Sequence, residues 1–222
     1  MTAGRGILFS EMTPDVSFES SFHHWYDTEH IPIRMKCEGF VSGQRYRADT
    51  GPGFLAIYEV TDLSAFRTPA YAQVKTQPSD QTRWMLENVH GFTRYLGNEI
   101  HRNAKDADAA DTPILYAVWF KAPKDRAGEF NDWHESEHIP LLMKAPDWRM
   151  VRRFEITDGE PETFSHLALH YLASKDALQS PEREAARNTA WRDKLAAESW
   201  FKSAYSVFHR HGPRHLGVSV KT

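Results

Sequence analysis

Residues 22–36 read FHHWYDTEHIPIRMK, and residues 130–144 read FNDWHESEHIPLLMK. Aligned on their first residue, the two stretches share a tryptophan, the run Glu-His-Ile-Pro and a final Met-Lys pair. The chain therefore carries one motif twice. A repeat with so long a period indicates duplicated domains rather than a solenoid of short units.

The length of 222 residues agrees with two halves of roughly 100 residues each. Between the two motifs, residues 101–112 read HRNAKDADAADT, a polar stretch without a hydrophobic period. We predict a first repeat over residues 1–103, a linker over 104–112, and a second repeat over 113–222 that ends in a C-terminal tail.

Both halves present the same order of signals. An apolar run predicts a first strand, the motif lies on a helix, two runs around a turn predict a hairpin, and a second helix and a last strand follow. Pro32 and Pro140 disfavour helical geometry in the residue before them, so we expect the motif helix to end near His30 and His138.

The order β-α-β-β-α-β is that of a ferredoxin-like unit, a four-stranded antiparallel sheet with two helices on one face. Each such sheet leaves one face uncovered. We therefore predict the α+β class, with two tandem ferredoxin-like βαββαβ repeats whose antiparallel sheets pack as a pseudo-two-fold α+β barrel.

The segment W-Y-x-x-E-H-I-P, followed by G-F-x-S-x-x-R-Y at residues 39–46, resembles the dimeric α+β barrel superfamily, near its EthD-like branch. The resemblance covers both halves and implies a tandem fusion of two units that other members bring together by dimerising. It implies a range of activities, which includes cofactor-independent cyclases, isomerases, decarboxylases and monooxygenases as well as some haem-binding enzymes. A fold alone does not choose among these.

Composition narrows the partners. The net charge of −3 is spread over interspersed acidic and basic residues, which is not typical of a nucleic-acid-binding protein. Cys37 is the single cysteine, so no internal disulfide is expected. No apolar run approaches the ~20 residues of a membrane-spanning helix, and the chain does not start with a secretory pattern. We expect a soluble, cytoplasmic protein, with neither nucleic acid nor membrane as a partner, that exists as a monomeric pseudo-dimer or a homo-oligomer.

The strongest catalytic candidates are the pairs Glu29-His30 and Glu137-His138. A carboxylate and an imidazole at a helix end are suited to act as base and acid near neutral pH. The alternative is structural, because the same side chains at a helix terminus can cap carbonyl groups or pair with an arginine.

Strand alternation supplies substrate-binding candidates. In residues 54–60, Leu55 and Ile57 share one face, and Tyr58 lies on the other. The matching strand of the second half places His166 and His170 opposite two leucines. If the leucine faces pack under the helices, Tyr58 and the two histidines point into the barrel as a polar pocket lining; otherwise they meet solvent or a partner strand.

Arginines and aromatic residues complete the predicted site. Arg45 and Arg153 recur at equivalent positions and are candidates for holding a carboxylate or phenolate, with a salt bridge to Glu29 or Glu137 as the alternative. Arg34 occurs only in the first half. Trp25 and Trp133 are predicted to be core residues or pocket walls.

Residues 134–138 read HESEH and match H-E-x-x-H, a zinc-binding pattern on helices. The first half lacks the first histidine, and Pro140 follows two residues after the second, so a zinc protease is disfavoured. A divalent-metal site formed by His134 and His138 remains as an alternative.

We interpret the chain as an enzyme of the lyase, isomerase or cyclase type. Its small-molecule substrate is expected to be a hydrophobic or aromatic organic acid, and His/Glu acid–base chemistry would act without an organic cofactor. No glycine-rich phosphate loop and no G-x-S-x-G elbow is present in the sequence, which disfavours nucleotide-driven and acyl-enzyme chemistry. Two alternatives stay open: a haem- or oxygen-dependent oxidoreductase of the same fold, and a non-catalytic ligand-binding protein.

Overall fold

The structure is a computed structural model that describes residues 5–218. The chain divides into two compact units. The first comprises Met1–Asn98, Thr157–Pro161 and His211–Thr222, and the second comprises Glu99–Ile156 and Glu162–Arg210. The repeat boundaries proposed above follow sequence order, whereas each unit also includes short segments from elsewhere in the chain.

The first unit is built on an antiparallel sheet with the strand order β2-β3-β1-β4. Its strands are β1 (Gly6–Thr13), β2 (Phe40–Ala48), β3 (Phe54–Val60) and β4 (His90–Ala104). Its helices are α1 (Glu19–Trp25), α2 (Ile31–Met35), α3 (Pro69–Thr76) and α4 (Asp80–Asn88).

The second unit repeats this arrangement, with β6-β7-β5-β8 as its strand order. Its strands are β5 (Ile114–Phe120), β6 (Trp148–Glu160), β7 (His166–Leu172) and β8 (Ser203–Leu216). Its helices are α5 (Ala127–Trp133), α6 (Ile139–Leu142), α7 (Pro181–Arg187) and α8 (Ala190–Ala196).

Strand registers are equivalent in the two repeats. Gly6 of β1 is paired with Val60, and Ile114 of β5 is paired with Leu172, so residues 6–12 of β1 correspond to residues 114–120 of β5. The hydrogen-bonded order of the eight strands is closed, β1-β3-β2-β8-β5-β7-β6-β4. The predicted α+β barrel with two tandem ferredoxin-like repeats is confirmed.

The expectation that the motif helix ends near its histidine is wrong. A π-helical turn, Tyr26–His30, follows α1, and α2 begins directly with Ile31. The same happens at His134–His138 before α6. Pro32 and Pro140 fall in the first turn of the new α-helix, where an α-helix needs no N–H from a proline, so the chain stays helical. Such π turns are frequent at functional sites.

The strand faces are the reverse of the predicted arrangement. Phe54 and Tyr58 belong to the core cluster that contains Trp25 of α1 and Ile31 of α2, so their face lies under the helices. In the second repeat, His166 contacts the Phe130 ring of α5 at 5.0 Å between ring centroids. All seven residues of β3 and all seven of β7 are buried, so both faces of each strand are covered.

Two polar segments are more ordered than their composition indicates. Residues 101–104 of the polar stretch 101–112 belong to β4, so the linker predicted over 104–112 shares its first residue with this strand. The histidine-rich run at 209–215 belongs to β8. Within residues 5–218, no helix is long and apolar enough to cross a membrane.

Candidate functional site

Each unit contains one pocket that lies against its motif helix. We call the pocket of the first unit the first-repeat pocket; its cavity measures about 590 Å³. That volume lies within the ~300–1,000 Å³ typical of small-molecule sites. Apolar side chains supply much of its wall: Leu8, Met12, Ile33, Val74, Leu86 and Phe92. Its polar lining includes Glu29, His30, Arg34, Tyr58, Lys75 and Arg94.

His30 ends the π turn, and this position holds its imidazole against the aromatic core. Its ring centroid lies 4.1 Å from that of Trp25 and 4.8 Å from that of Tyr26. Nδ1 is buried and has no hydrogen-bond partner among the described residues. Burial, aided by the positive charges of Arg34 and Arg45, holds the pKa of His30 well below its usual value. The imidazole is therefore neutral at physiological pH and can accept a proton.

Arg34 and Tyr58 lie together beside this imidazole. Arg34 donates from one terminal nitrogen to the His30 carbonyl oxygen at 2.8 Å, and its guanidinium carbon lies 5.6 Å from the Tyr58 ring centroid. The Arg34 Nε and the Tyr58 hydroxyl are buried without a partner in the described part of the chain. Burial raises the pKa of Tyr58, so the hydroxyl keeps its proton and can donate it to a hydrogen bond.

Glu29 lies next to His30 and is held by hydroxyl groups. Its Oε1 accepts hydrogen bonds from Ser79 and Thr82, both at 2.5 Å, and Thr82 in turn accepts one from Trp25 Nε1 at 2.8 Å. The alternative in which Arg45 forms a salt bridge with Glu29 is wrong, because Arg45 is paired with Asp27. The hydroxyls of Thr82 and of the α4 N-cap, Ser79, fix Oε1, and Glu29 also lines the pocket, so a structural and a chemical role are both compatible with this carboxylate.

Apolar side chains around the first-repeat pocket are unusually exposed. Ile33, Leu86 and Phe92 line the pocket and are 40%, 42% and 43% accessible. Exposed apolar surface that continues into a cavity is typical of a binding site for a hydrophobic ligand.

The second unit holds an equivalent but different pocket, which we call the second-repeat pocket. Its cavity measures about 270 Å³. His138 takes the place of His30, His134 that of Tyr26, and His170 that of Tyr58. Six aromatic residues wall it: Tyr116, Phe120, Trp133, Trp148, Phe201 and Tyr205. The predicted pocket-wall role of Trp133 agrees with this geometry, whereas Trp25 lies in the core behind Thr82.

Hydrogen bonds orient two histidines of this pocket. His138 Nδ1 donates to the Ala186 carbonyl oxygen at 3.0 Å, so Nε2 is the unprotonated nitrogen of the neutral ring. Trp148 Nε1 donates to His170 Nδ1 at 3.1 Å, which leaves the proton of neutral His170 on Nε2. Burial lowers the pKa of His138 to about 4 and that of His170 to about 3, so both rings are neutral at pH 7.

Three arginines that we did not single out from the sequence line the second-repeat pocket: Arg183, Arg187 and Arg192. The N-cap hydroxyls of α7 and α8 accept hydrogen bonds from the backbone N–H groups of Arg183 and Arg192. In the first repeat, the N-cap hydroxyls of α3 and α4 accept the equivalent bonds from Tyr71 and Thr82. An alignment of the two repeats at these N-cap residues would have placed Arg183 and Arg192 opposite Tyr71 and Thr82 and so identified both arginines from the sequence. The alternative in which Arg153 forms a salt bridge with Glu137 is also wrong, because Arg153 is paired with Glu135, and Glu137 accepts from Thr189 at 2.6 Å.

Arg45 and Arg153 lie outside both pockets. Arg45 donates to Asp27 at 3.1 Å and contacts His23 Nδ1 at 2.7 Å, and Arg153 donates to Glu135 at 2.7 Å. Both guanidinium groups are almost fully buried. The carboxylates that they contact, Asp27 and Glu135, come two residues before Glu29 and Glu137 in the motif. Their contacts are those of internal supports for the motif helix.

His166 also lies outside the second-repeat pocket; its Nδ1 is 2.9 Å from the Ser165 hydroxyl. His134 and His138 do face one another, with ring centroids 5.2 Å apart. No group of three or more histidine, cysteine, aspartate or glutamate side chains within residues 5–218 is arranged to hold a metal ion.

Comparison with known proteins identifies similar solved structures but no matching family. No family model matches the chain, and no curated protein does. Among solved structures, an anthrone oxidase-like protein has a TM-score of 0.71 at 13% identity, over 97% of this chain and 94% of the other. A protein provisionally named a monooxygenase, from Fusobacterium nucleatum subsp. nucleatum, has a TM-score of 0.64 at 10% identity, over 97% and 96%.

A third solved structure, provisionally named a chlorite dismutase, has a TM-score of 0.59 at 11% identity, over 93% of this chain and 95% of the other. At such low identity, the three similarities show the fold alone. They establish that this chain has a ferredoxin-like α+β barrel fold over nearly its whole length.

Proposed function

We propose that the chain is a small-molecule enzyme that removes a proton from a hydrophobic carbon acid in the first-repeat pocket. The observation that carries this proposal is the meeting of His30, Arg34 and Tyr58 at one cavity, each with a buried polar atom that lacks a partner in the described chain. Unsatisfied buried polar groups cost stability and call for an explanation. Their convergence on an apolar cavity supports a binding role.

The proposed step follows from the chemistry of these groups. The neutral imidazole of His30 takes the proton from a carbon next to a carbonyl group. The electron pair of the broken C–H bond moves to the carbonyl oxygen and forms an enolate or phenolate. The positive charge of Arg34 and the Tyr58 hydroxyl stabilise that oxygen, since preorganised donors in a dry site act most strongly where charge develops.

Glu29 has a supporting role in this proposal. It is held by Ser79 and Thr82, follows next to His30 in the sequence, and lines the same pocket. Return of the proton to a different carbon would complete an isomerisation, and bond cleavage or ring closure from the same enolate would complete a lyase or cyclase reaction.

A second candidate function uses the same enolate. The enolate carbon would bond to dioxygen, which as the oxidant accepts the electron pair. Protonation of the resulting peroxide would give a hydroperoxide, and loss of water would leave the carbon as a ketone. The names of two fold neighbours, anthrone oxidase-like and monooxygenase, favour this oxidoreductase version. The duplicated motif further supports a place in the EthD-like branch of the dimeric α+β barrel superfamily.

The described residues do not fit a haem bound through His30. A histidine that binds iron almost always donates its other ring N–H to an acceptor, which orients the imidazole. The Nδ1 of His30 is buried and has no hydrogen-bond partner in the described part of the chain. The second-repeat cavity, at about 270 Å³, is smaller than the usual range for drug-sized ligands. We therefore derive no step through haem.

Anthrone is a suitable first probe, because it is a flat, apolar carbon acid whose deprotonated form is a phenolate. The purified protein should accelerate exchange of its methylene protons in D₂O without air. Oxygen uptake on admission of air would identify the oxidoreductase version, and exchange without uptake would favour the isomerase or lyase version. Absence of any acceleration with anthrone and with smaller aryl ketones would refute proton abstraction in this pocket.

A further inference from the structure

The second-repeat pocket has a charge distribution that the proposed reaction does not use. Arg183, Arg187 and Arg192 line it, and no aspartate or glutamate within the described chain does. The positive charges of all three arginines act on His138 and lower its pKa further, in addition to the effect of burial, so they lie close to its imidazole.

The three guanidinium groups have few protein partners. One terminal nitrogen of Arg183 donates to the Leu178 carbonyl oxygen at 2.7 Å, which fixes the side chain and leaves its other donors available. Within residues 5–218, the side chains of Arg187 and Arg192 make no hydrogen bond, and the attractive charge that acts on Arg192 is that of the exposed Asp193. Cations that converge without a carboxylate favour an anionic ligand.

Comparison of the repeats shows that this charge is specific to the second. At the third position of their helices, Arg183 and Arg192 stand where the first repeat has Tyr71 and Thr82. Thr82 accepts the bond from Trp25 Nε1, whereas the equivalent Trp133 Nε1 is buried without a partner in the described chain. With arginine instead of threonine at this position, the second repeat lacks the buried hydrogen bond to the tryptophan and has an additional cation in its pocket.

The walls limit the shape of the ligand. The indoles of Trp133 and Trp148 and the rings of Phe120 and Phe201 leave a cavity of about 270 Å³. Neutral His170 offers a proton on Nε2, because its Nδ1 accepts from Trp148. We propose that the second-repeat pocket binds a small aromatic carboxylate, with its carboxylate on Arg183, Arg187 and Arg192 and its ring between the aromatic walls.

Isothermal titration of the full chain with benzoate tests this proposal. Benzoate should bind with one site per chain, and benzamide, its neutral isostere, should bind about tenfold or more weakly, as expected when charge-assisted hydrogen bonds are lost. Inorganic phosphate should not compete at the same concentration. No benzoate binding, equal binding of benzamide, or equal binding of phosphate would each overturn the proposal.

Two variants locate the binding. Arg192→Thr restores the residue of the first repeat and should weaken benzoate binding about tenfold. Arg187→Gln, at an exposed position, should weaken it without a change in thermal stability, and Lys75→Gln at the equivalent position of the first repeat should leave it unchanged. Undiminished binding in both arginine variants would exclude this pocket. The outcome is independent of proton abstraction in the first-repeat pocket, which the anthrone exchange assay measures separately.

Discussion

Thr82 accepts a hydrogen bond from the indole nitrogen of Trp25 at 2.8 Å, at the base of the first-repeat pocket. The same hydroxyl donates to Glu29 Oε1. One side chain of α4 thereby connects a core tryptophan with a carboxylate beside the proposed base. The second repeat has Arg192 at this position, and this difference contributes to the different roles that we propose for the two pockets.

Thr82→Val should lower the free energy of unfolding by about 2 kcal/mol, because it leaves the buried Trp25 Nε1 without an acceptor. Urea unfolding followed by tryptophan fluorescence measures the change. Arg192→Thr is the reciprocal control, and it should not destabilise the protein, since the hydroxyl gives Trp133 Nε1 an acceptor. A loss below about 0.5 kcal/mol for Thr82→Val would show that the connection does not stabilise the fold.

The ion pair of Arg45 and Asp27 should respond asymmetrically to mutation. The Arg45 side chain is 2% exposed and that of Asp27 is 49% exposed. Asp27→Ala should cost about 3 kcal/mol of unfolding free energy, because it leaves a buried guanidinium without its carboxylate. Arg45→Met should cost less, because the remaining carboxylate is solvated and the methionine packs in the apolar site.

Asp132→Ala, at an exposed position of α5, is the control for this comparison and should change stability by less than about 0.5 kcal/mol. A larger loss for Arg45→Met than for Asp27→Ala would contradict the structural role. So would a large loss of ligand affinity in an Arg45→Met protein that remains folded.

Acid should destabilise the protein through its buried neutral histidines. Burial lowers the pKa of His138 and His166 to about 4 and that of His170 to about 3, against 6.5 for an exposed histidine. Between pH 6.5 and about 4, the unfolded chain binds more protons than the folded one, so stability is lost as the pH falls through this window. Each histidine adds a slope of up to about 1.4 kcal/mol per pH unit.

Urea unfolding at several pH values measures that slope. His170→Asn should reduce it by about one proton, and a mutation of the exposed His24 should leave it unchanged. A stability that does not vary between pH 6.5 and 4.5 would mean that these histidines are not buried in the neutral form.

Tyr58→Phe should separate stability from activity. The hydroxyl is buried without a partner, so its removal should raise the free energy of unfolding by about 1 kcal/mol. The same change should slow proton abstraction about 100-fold, as loss of an oxyanion donor does. Because the variant is expected to be more stable, unfolding cannot account for the lost rate. Unchanged turnover would remove Tyr58 from the proposed mechanism.

The fold was accessible from the sequence because the two copies of the motif keep every flanking element in step. The sequence did not show which face of each strand lies under the helices. All residues of β3 and β7 are buried, so alternation of Leu55 with Tyr58, or of leucines with His170, does not distinguish the faces. Both faces of β3 and of β7 contact apolar neighbours, so only the packed structure shows which face lies under the helices.

Part of the candidate site could also be predicted from the sequence. His30 was identified by the repeated motif and Tyr58 by strand alternation, and both line one pocket. Arg183 and Arg192 were missed, because an arginine in a short polar helix is ordinarily solvated. Pro32 suggested a helix end, since the propensity rule for prolines does not anticipate a π turn immediately before it.

The central claim is that His30, and not its counterpart His138, removes the proton. The direct test is the rate of anthrone methylene exchange in D₂O, without air, for the unmodified protein and for His30→Asn and His138→Asn. His30→Asn should reduce the rate about 100-fold or more, and His138→Asn should stay within about twofold of the unmodified protein. A full rate in His30→Asn, or a loss confined to His138→Asn, would contradict the account.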